Sequence, residues 1–207
     1  FDTLWAQQGG RFNGRVRKDL APEEAEPILT THSQPLGEVI RSINKYSNNV
    51  MTRQLLYTLA AQTFGPPATP EQGRQVIIEH LQQRGINTKG LAIDNGAGLS
   101  RQTRITAESL GQILLQAAAS PFMAEYIASM SLPGLDGTTR RRFKARPEAG
   151  QMHMKTGRID HVAAIAGFVQ GRSGRRFAVV ALLNHPEVHR GPGEEFQDAL
   201  LRWLAAL

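Results

Sequence analysis

The sequence predicts an α+β domain, a helical cluster packed on an antiparallel sheet, and three observations carry that reading. Apolar residues recur at helical spacing from residue 35 to about residue 130. After residue 150 the pattern changes to strand-length apolar runs, two of them joined by the tetrapeptide Gly171, Arg172, Ser173, Gly174. Residues 194–207 then return to a helical period. Helices first, a sheet after them and one closing helix is a segregated layout rather than an alternating one.

Each element has its own signal. Leu36, Val39, Ile40 and Ile43 fall at i, i+3, i+4 and i+7, with Pro35 in place to open the helix. The run breaks at Ser47, Asn48 and Asn49 and resumes through Val50, Met51, Leu55, Leu56, Leu59 and Ala60 until Gly65. Two helices meeting at a polar corner fit this. A further helix is expected over residues 71–84, stopped by Gly85. Residues 94–101 read as a turn whose Gly96 and Gly98 can take positive φ. Thr106 is placed to cap a helix carrying Leu110, Ile113 and Leu114. A short helix over 121–130 and a loop over 132–137 follow. Strands are expected at 153–157, 162–170 and 176–184, the last two forming a hairpin. In the closing helix Phe196, Leu200, Leu201, Trp203 and Leu204 are expected on the apolar side. Residues 1–31 are rich in loop punctuation, with a loose strand pattern at 11–16.

Composition narrows the function classes. The chain has 207 residues, 41% of them hydrophobic and 20% charged, enough for one generous domain with a buried core. It has no cysteine, which excludes disulfides, thiolate metal sites and cysteine nucleophiles. No apolar run approaches the roughly 20 residues that span a bilayer, so no integral membrane segment is expected. The six histidines show no metal-ligand spacing, and neither metal nor cofactor is expected. The net charge of +6 favours anionic partners, and its densest cluster is Arg140, Arg141, Arg142, Phe143, Lys144, Ala145, Arg146. That cluster reads as a solvated loop rim; one short run with a single aromatic does not make a nucleic-acid site.

Two tripeptides bear on chemistry: Ser47, Asn48, Asn49 at the helix corner and Lys155, Thr156, Gly157 at the start of a strand. An S-x-N followed by K-T-G, together with S-x-x-K, marks penicillin-binding proteins and class A β-lactamases. Longer segments carry the same resemblance. Residues 44–49, Asn-Lys-Tyr-Ser-Asn-Asn, resemble that family's approach to its second motif. Residues 94–101 are similar to its Asp-x-Gly-Ser-Gly-Leu-Ser turn, with Ala97 where serine is usual. Residues 132–138 followed by 140–143 resemble its Gly-x-Asp-Gly-Thr segment, and 155–157 running into 161–169 resemble its catalytic strand. On these segments the chain resembles the class C low-molecular-mass penicillin-binding proteins, the D-alanyl-D-alanine carboxypeptidase/endopeptidase family.

The resemblance implies a penicillin-binding protein/β-lactamase-like, transpeptidase-like domain that is incomplete at its N-terminal side. Residues 1–31 would be the crossover from inserted domains absent from this sequence, and 32–207 the C-terminal part of the transpeptidase-like domain. Ser47 would relay a proton to the leaving group, and Asn49 would hold the substrate backbone through its amide. Lys155 and Thr156 would bind the terminal carboxylate, Gly157 would let the substrate lie against the strand, and the Arg158 N–H would be an oxyanion donor. The implied partners are a peptidoglycan stem peptide and β-lactam antibiotics, with a homodimer as a candidate assembly, no nucleic acid, and the periplasm as location. Neighbours on a strand point to opposite faces, so Lys155 and Thr156 can share a cleft only at an edge strand. An edge strand is therefore expected.

The nucleophile is the exception. One S-x-x-K is present, Ser42, Ile43, Asn44, Lys45, but it lies in the same helix as the S-x-N corner, with Ile43 expected in the core. It reads as structural, with Ser42 exposed. The true pair is expected outside this sequence, which begins at Phe1 and reads as a processed or excised piece, inactive alone. Asp160 and His161 suggest a serine–histidine–aspartate relay, but as strand neighbours they would diverge. Two rival readings are a non-catalytic peptidoglycan-recognition relative and a basic module that binds an anionic polymer through residues 140–146.

Overall fold

The computed structural model describes residues 1–15, 17–20, 22 and 24–207. Contacts divide the chain into two units, Phe1–Ser33 and Gln34–Leu207. The first holds a helix, α1 (Asp2–Gln7), which the loop punctuation had concealed. Phe1 stacks on Trp5 at 5.7 Å and meets Phe12 edge-on, and Trp5 Nε1 donates to Arg11 O. These local ring contacts, not a core, support α1, in which no residue is buried. The strand expected at 11–16 is not found over 11–15, and Val16 lies outside the described residues.

The second unit follows the predicted order: α2 (Leu36–Tyr46), α3 (Asn49–Phe64), α4 (Pro70–Gln83), α5 (Ala107–Ala118), α6 (Met123–Ser129), then β1 (Met152–Ile159), β2 (Val162–Gln170), β3 (Arg176–Asn184) and α7 (Pro192–Ala206). Short 3-10 turns at Gly137–Thr139 and Val188–Arg190 lie in the connections. Side-chain caps explain several helix starts. Asn48 accepts from Met51 N, Thr106 from Ser109 N, and Thr69 with Gln72 forms a reciprocal capping box.

The sheet is antiparallel in the order β1-β2-β3, in continuous register from Met152↔Val169 to Ile159↔Val162 and from Val162↔Asn184 to Gln170↔Arg176. The central strand is small and apolar (Ala163, Ala164, Ala166, Gly167), as a strand covered on both faces requires. One face packs Met152, Met154, Ile165, Val169 and Val179 against Leu201, Leu204 and Ala205 of α7. The other packs Phe168, with Ala166, Ala178 and Val180, against Leu114 of α5 and the α6 residues Met123, Tyr126 and Ile127.

Three expectations are corrected here. In α7 the buried face is Gly193, Gln197, Leu201, Leu204 and Ala205, while Phe196 and Trp203 are exposed. The apolar stripe is wider than the contact, and only its neighbour decides which part of it is covered. The cluster at 140–146 is not a uniform solvated rim. Arg142 is buried against Asp198 and Gln197, and Phe143 enters the core. Asp160 and His161 are not strand neighbours; they form the turn between β1 and β2.

Candidate functional site

Ser47 sits where α2 ends, in the left-handed conformation (φ 53°, ψ 47°). A non-glycine residue there is strained unless its surroundings hold it. The cap of α3 is Asn48, so the Ser47 hydroxyl is not used as a helix cap. It accepts a hydrogen bond from Lys155 Nζ instead, which also donates to Thr156 O at 2.8 Å. The two tripeptides thus meet across 108 residues of sequence. Burial pushes the Lys155 ammonium below its ordinary value of 10.5.

β1 is an edge strand, as expected, and this resolves the problem of facing. Lys155 and Gly157 share the face of His153 and Phe168, towards the helices. Thr156 and Arg158 belong to the face of Met152 and Met154, towards α7. The Thr156 hydroxyl is nevertheless in reach of the cleft at the strand's open margin, where it meets Thr138 Oγ1 at 2.9 Å. Backbone parity gives the same margin a second property. Met154 exchanges both its backbone bonds with Ser131, on the side away from β2. In a regular antiparallel ladder the outward groups recur every second residue, so Thr156 and Arg158 also direct N–H and C=O away from β2.

A cleft of about 770 Å³ collects these groups. Ser47, Asn49, Lys155, Thr156, Gly157 and Arg158 all line it. Its floor includes Ala164, Ala166, Leu182 and Asn184 of β2 and β3, and its far wall is the 97–105 segment, entered through Gly96 and Gly98 at φ 73° and 78°. On β2 the small Ala164 and Ala166 leave room that bulky side chains would fill.

The supporting groups were not recognised in the sequence. Lys45 Nζ donates to Asp136 Oδ2 and, at 3.0 Å, to Met130 O. Asp136 Oδ1 accepts from Leu132 N at 2.7 Å. Ser131 Oγ donates to Lys45 O and accepts from Thr138 N. Gly137 lies so close that an added Cβ would stand 2.2 Å from Ser131 Oγ and 2.7 Å from Lys45 O. This network fastens the end of α2 to the 131–138 loop, and that loop to β1 through Thr138. Ser47 and Lys155 are therefore held on connected supports. The Gly-x-Asp-Gly-Thr resemblance was the available signal, but nothing in it names Lys45 as the partner.

The S-x-x-K at 42–45 has its side chains engaged in packing and support. Ile43 is buried, and the Lys45 ammonium is engaged with Asp136 and Met130. Ser42 is half-buried rather than exposed. At the β1–β2 turn, Arg101 Nη1 donates to Asp160 O at 2.8 Å, and His161 N donates to His189 Nδ1 at 2.9 Å. Among the described residues no group of three or more His, Asp or Glu side chains could hold a metal ion.

Residues 1–207 match the family described as D-Ala-D-Ala carboxypeptidase 3 (S13). The chain is 30% identical to the D-alanyl-D-alanine carboxypeptidase of Actinomadura sp. (strain R39), over 99% of this chain and 39% of that protein. It is 26% identical to the D-alanyl-D-alanine carboxypeptidase DacB of Haemophilus influenzae, over 86% of this chain and 38% of the relative. The chain thus spans about two fifths of the length of these relatives. Its fold matches the crystal structure of penicillin binding protein 4 (dacB) from Haemophilus influenzae, complexed with a β-lactam, with a TM-score of 0.88 and 23% identity over 99% of this chain and 49% of that one. A predatory endopeptidase from Bdellovibrio bacteriovorus matches with a TM-score of 0.66 and 19% identity, over 82% of this chain and 43% of that one. A match that runs the full length of the sequence, over a fold shared at this level, leads to one conclusion: the chain belongs to the D-Ala-D-Ala carboxypeptidase 3 (S13) family.

Proposed function

We propose that this chain is the C-terminal part of a periplasmic serine D-Ala-D-Ala carboxypeptidase/endopeptidase that acts on peptidoglycan stem peptides and is acylated by β-lactams. The observation that carries the reading is the bond from Lys155 Nζ to Ser47 Oγ inside a cleft lined by both motifs. Residues 1–31 are the crossover from inserted domains and 32–207 the transpeptidase-like domain, a division supported by the separate contact unit Phe1–Ser33.

In this reading the nucleophilic serine and its lysine come from sequence outside these residues. The serine Oγ attacks the carbonyl of the D-Ala-D-Ala bond, the C–N bond breaks, and D-alanine leaves after taking a proton through Ser47. Water then hydrolyses the acyl-enzyme. Lys155 and Thr156 hold the terminal carboxylate, Asn49 the substrate backbone, and the outward N–H of Arg158 the developing oxyanion. Lys155 suits this task because partial burial strengthens its field while the cleft stays open to the ligand.

The test is D-alanine release from a peptide ending in D-Ala-D-Ala, and labelling by a tagged penicillin, with the intact protein. Ser47→Ala and Lys155→Gln are each expected to lower kcat/KM by about 10²–10⁴-fold, the range for loss of a proton relay or a charge aimed at the transition state. Full activity in both variants would refute the assignment.

A further inference from the structure

Residues 140–146 hold five cationic side chains, and the structure divides them into one anchor and four that face solvent. Arg142 is buried, its guanidinium donating to Asp198 Oδ1 and Gln197 Oε1 of α7. Phe143 beside it packs in the core with Met152 and Leu201. Arg140, Arg141, Lys144 and Arg146 are exposed, and none of them takes part in an ion pair among the described residues. The backbone that presents them is unusual. Phe143 and Ala145 both have left-handed φ, 55° and 57°. The buried Phe143 ring and the ion pair of Arg142 with Asp198 anchor the middle of the loop. The loop is a held platform for charge rather than a slack connection.

Its position matters. Arg140 follows Thr138, the residue bonded to Thr156, by two positions, and the loop leads into Met152 at the start of β1. The chain thus links the basic loop to Thr138 on one side and to β1 on the other, with its anchors Arg142 and Phe143 on the α7 side of the sheet.

We propose that Arg140, Arg141, Lys144 and Arg146 form a docking surface for a polyanionic peptidoglycan strand, which they hold while one stem peptide enters the cleft. This rests on the proposed function above. Peptidoglycan presents carboxylates repeatedly along its length, whereas the cleft's Lys155 and Thr156 engage only one. Four outward cations on the loop that runs from Thr138 towards β1 match the neighbouring stem peptides of the same polymer. Each exposed charge contributes little alone, so the surface acts by several weak contacts on a repetitive ligand and loses them as salt rises.

The test compares the intact protein with its Arg140→Gln/Arg141→Gln/Lys144→Gln/Arg146→Gln variant, whose four changes all lie on the exposed side of the loop. Retention on purified sacculi is measured from low to physiological salt, beside cleavage of a short soluble D-Ala-D-Ala peptide. The variant is expected to lose roughly tenfold or more of its sacculus affinity at low salt. It should also show a flatter salt dependence and cleave the short peptide at an unchanged rate. Unchanged retention would overturn the proposal, as would an equal loss on the short peptide, which would mean the loop supports the cleft itself. Tighter retention on double-stranded DNA than on sacculi would assign the patch to nucleic acid instead. If neither protein cleaves the peptide or reacts with penicillin, the catalytic reading fails while the sacculus comparison still decides the docking surface.

Discussion

Gly157 and Gly167 show how one residue type can be required for two different reasons. A Cβ on Gly157 would meet only Ala164 Cβ, at an ordinary 3.5 Å, so nothing within the fold demands glycine there. A Cβ on Gly167 would stand 2.0 Å from His153 O. Gly157→Ala is therefore expected to leave the unfolding free energy within about 1 kcal/mol of the parent, while, under the proposed function, D-alanine release by the intact protein falls about tenfold or more because the added methyl would enter the face of the strand assigned to the substrate. Gly167→Ala is expected to destabilise by about 1–3 kcal/mol. Denaturant melts and a D-alanine assay separate the two. Lys155 adds a pH signature. Its folded-state pKa lies below 10.5 because burial penalises the charged form. Between the folded value and 10.5 the unfolded chain holds more protons, so this residue makes stability rise with pH across that window. Below the folded value its penalty is fully present. Lys155→Met is expected to lose that alkaline gain and to be no less stable at neutral pH, which thermal melts across the pH range would check.

At the scale of elements, the corner between α2 and α3 carries the site. Asn48 is the only one of its three residues whose side chain caps α3, through Met51 N. Asn48→Ala should cost about 1 kcal/mol in a denaturant titration. It should also lower activity, because the turn that holds Ser47 at φ 53° would be less firmly set. The sequence located this corner from the break in periodicity at residue 47 but could not say which residue capped. Ser and Asn are both good caps, and only the backbone conformation at Ser47 excludes it. In the same way, the alternation of β1 showed that Lys155 and Thr156 diverge, while its place at the sheet's edge explains how both line one cleft. In α7 the apolar period was legible but its rotation was not, and Phe196 and Trp203 fall outside the buried stripe.

For the whole molecule, the decisive question is where the covalent chemistry resides. Within these residues the only S-x-x-K has its lysine engaged with Asp136 and its isoleucine in the core. A tagged penicillin is therefore expected not to label the 207-residue chain alone, and Ser42→Ala is expected to leave labelling of the intact protein unchanged. A covalent band on the chain, abolished by Ser42→Ala, would return that serine to the mechanism. No helix among the described residues is long and apolar enough to cross a membrane.

By itself the sequence determined the α+β order, the helix and strand positions in residues 34–207, and the identity of the two tripeptides, because these depend on local periodicity and residue chemistry. Tertiary structure alone decided that Ser47 meets Lys155, that Lys45 is bound to Asp136 and Met130, and that Arg142 turns inward while Arg140, Arg141, Lys144 and Arg146 stay in water. Those outcomes depend on which distant surfaces come into contact, and a pattern of a few residues records only which side chains share a face.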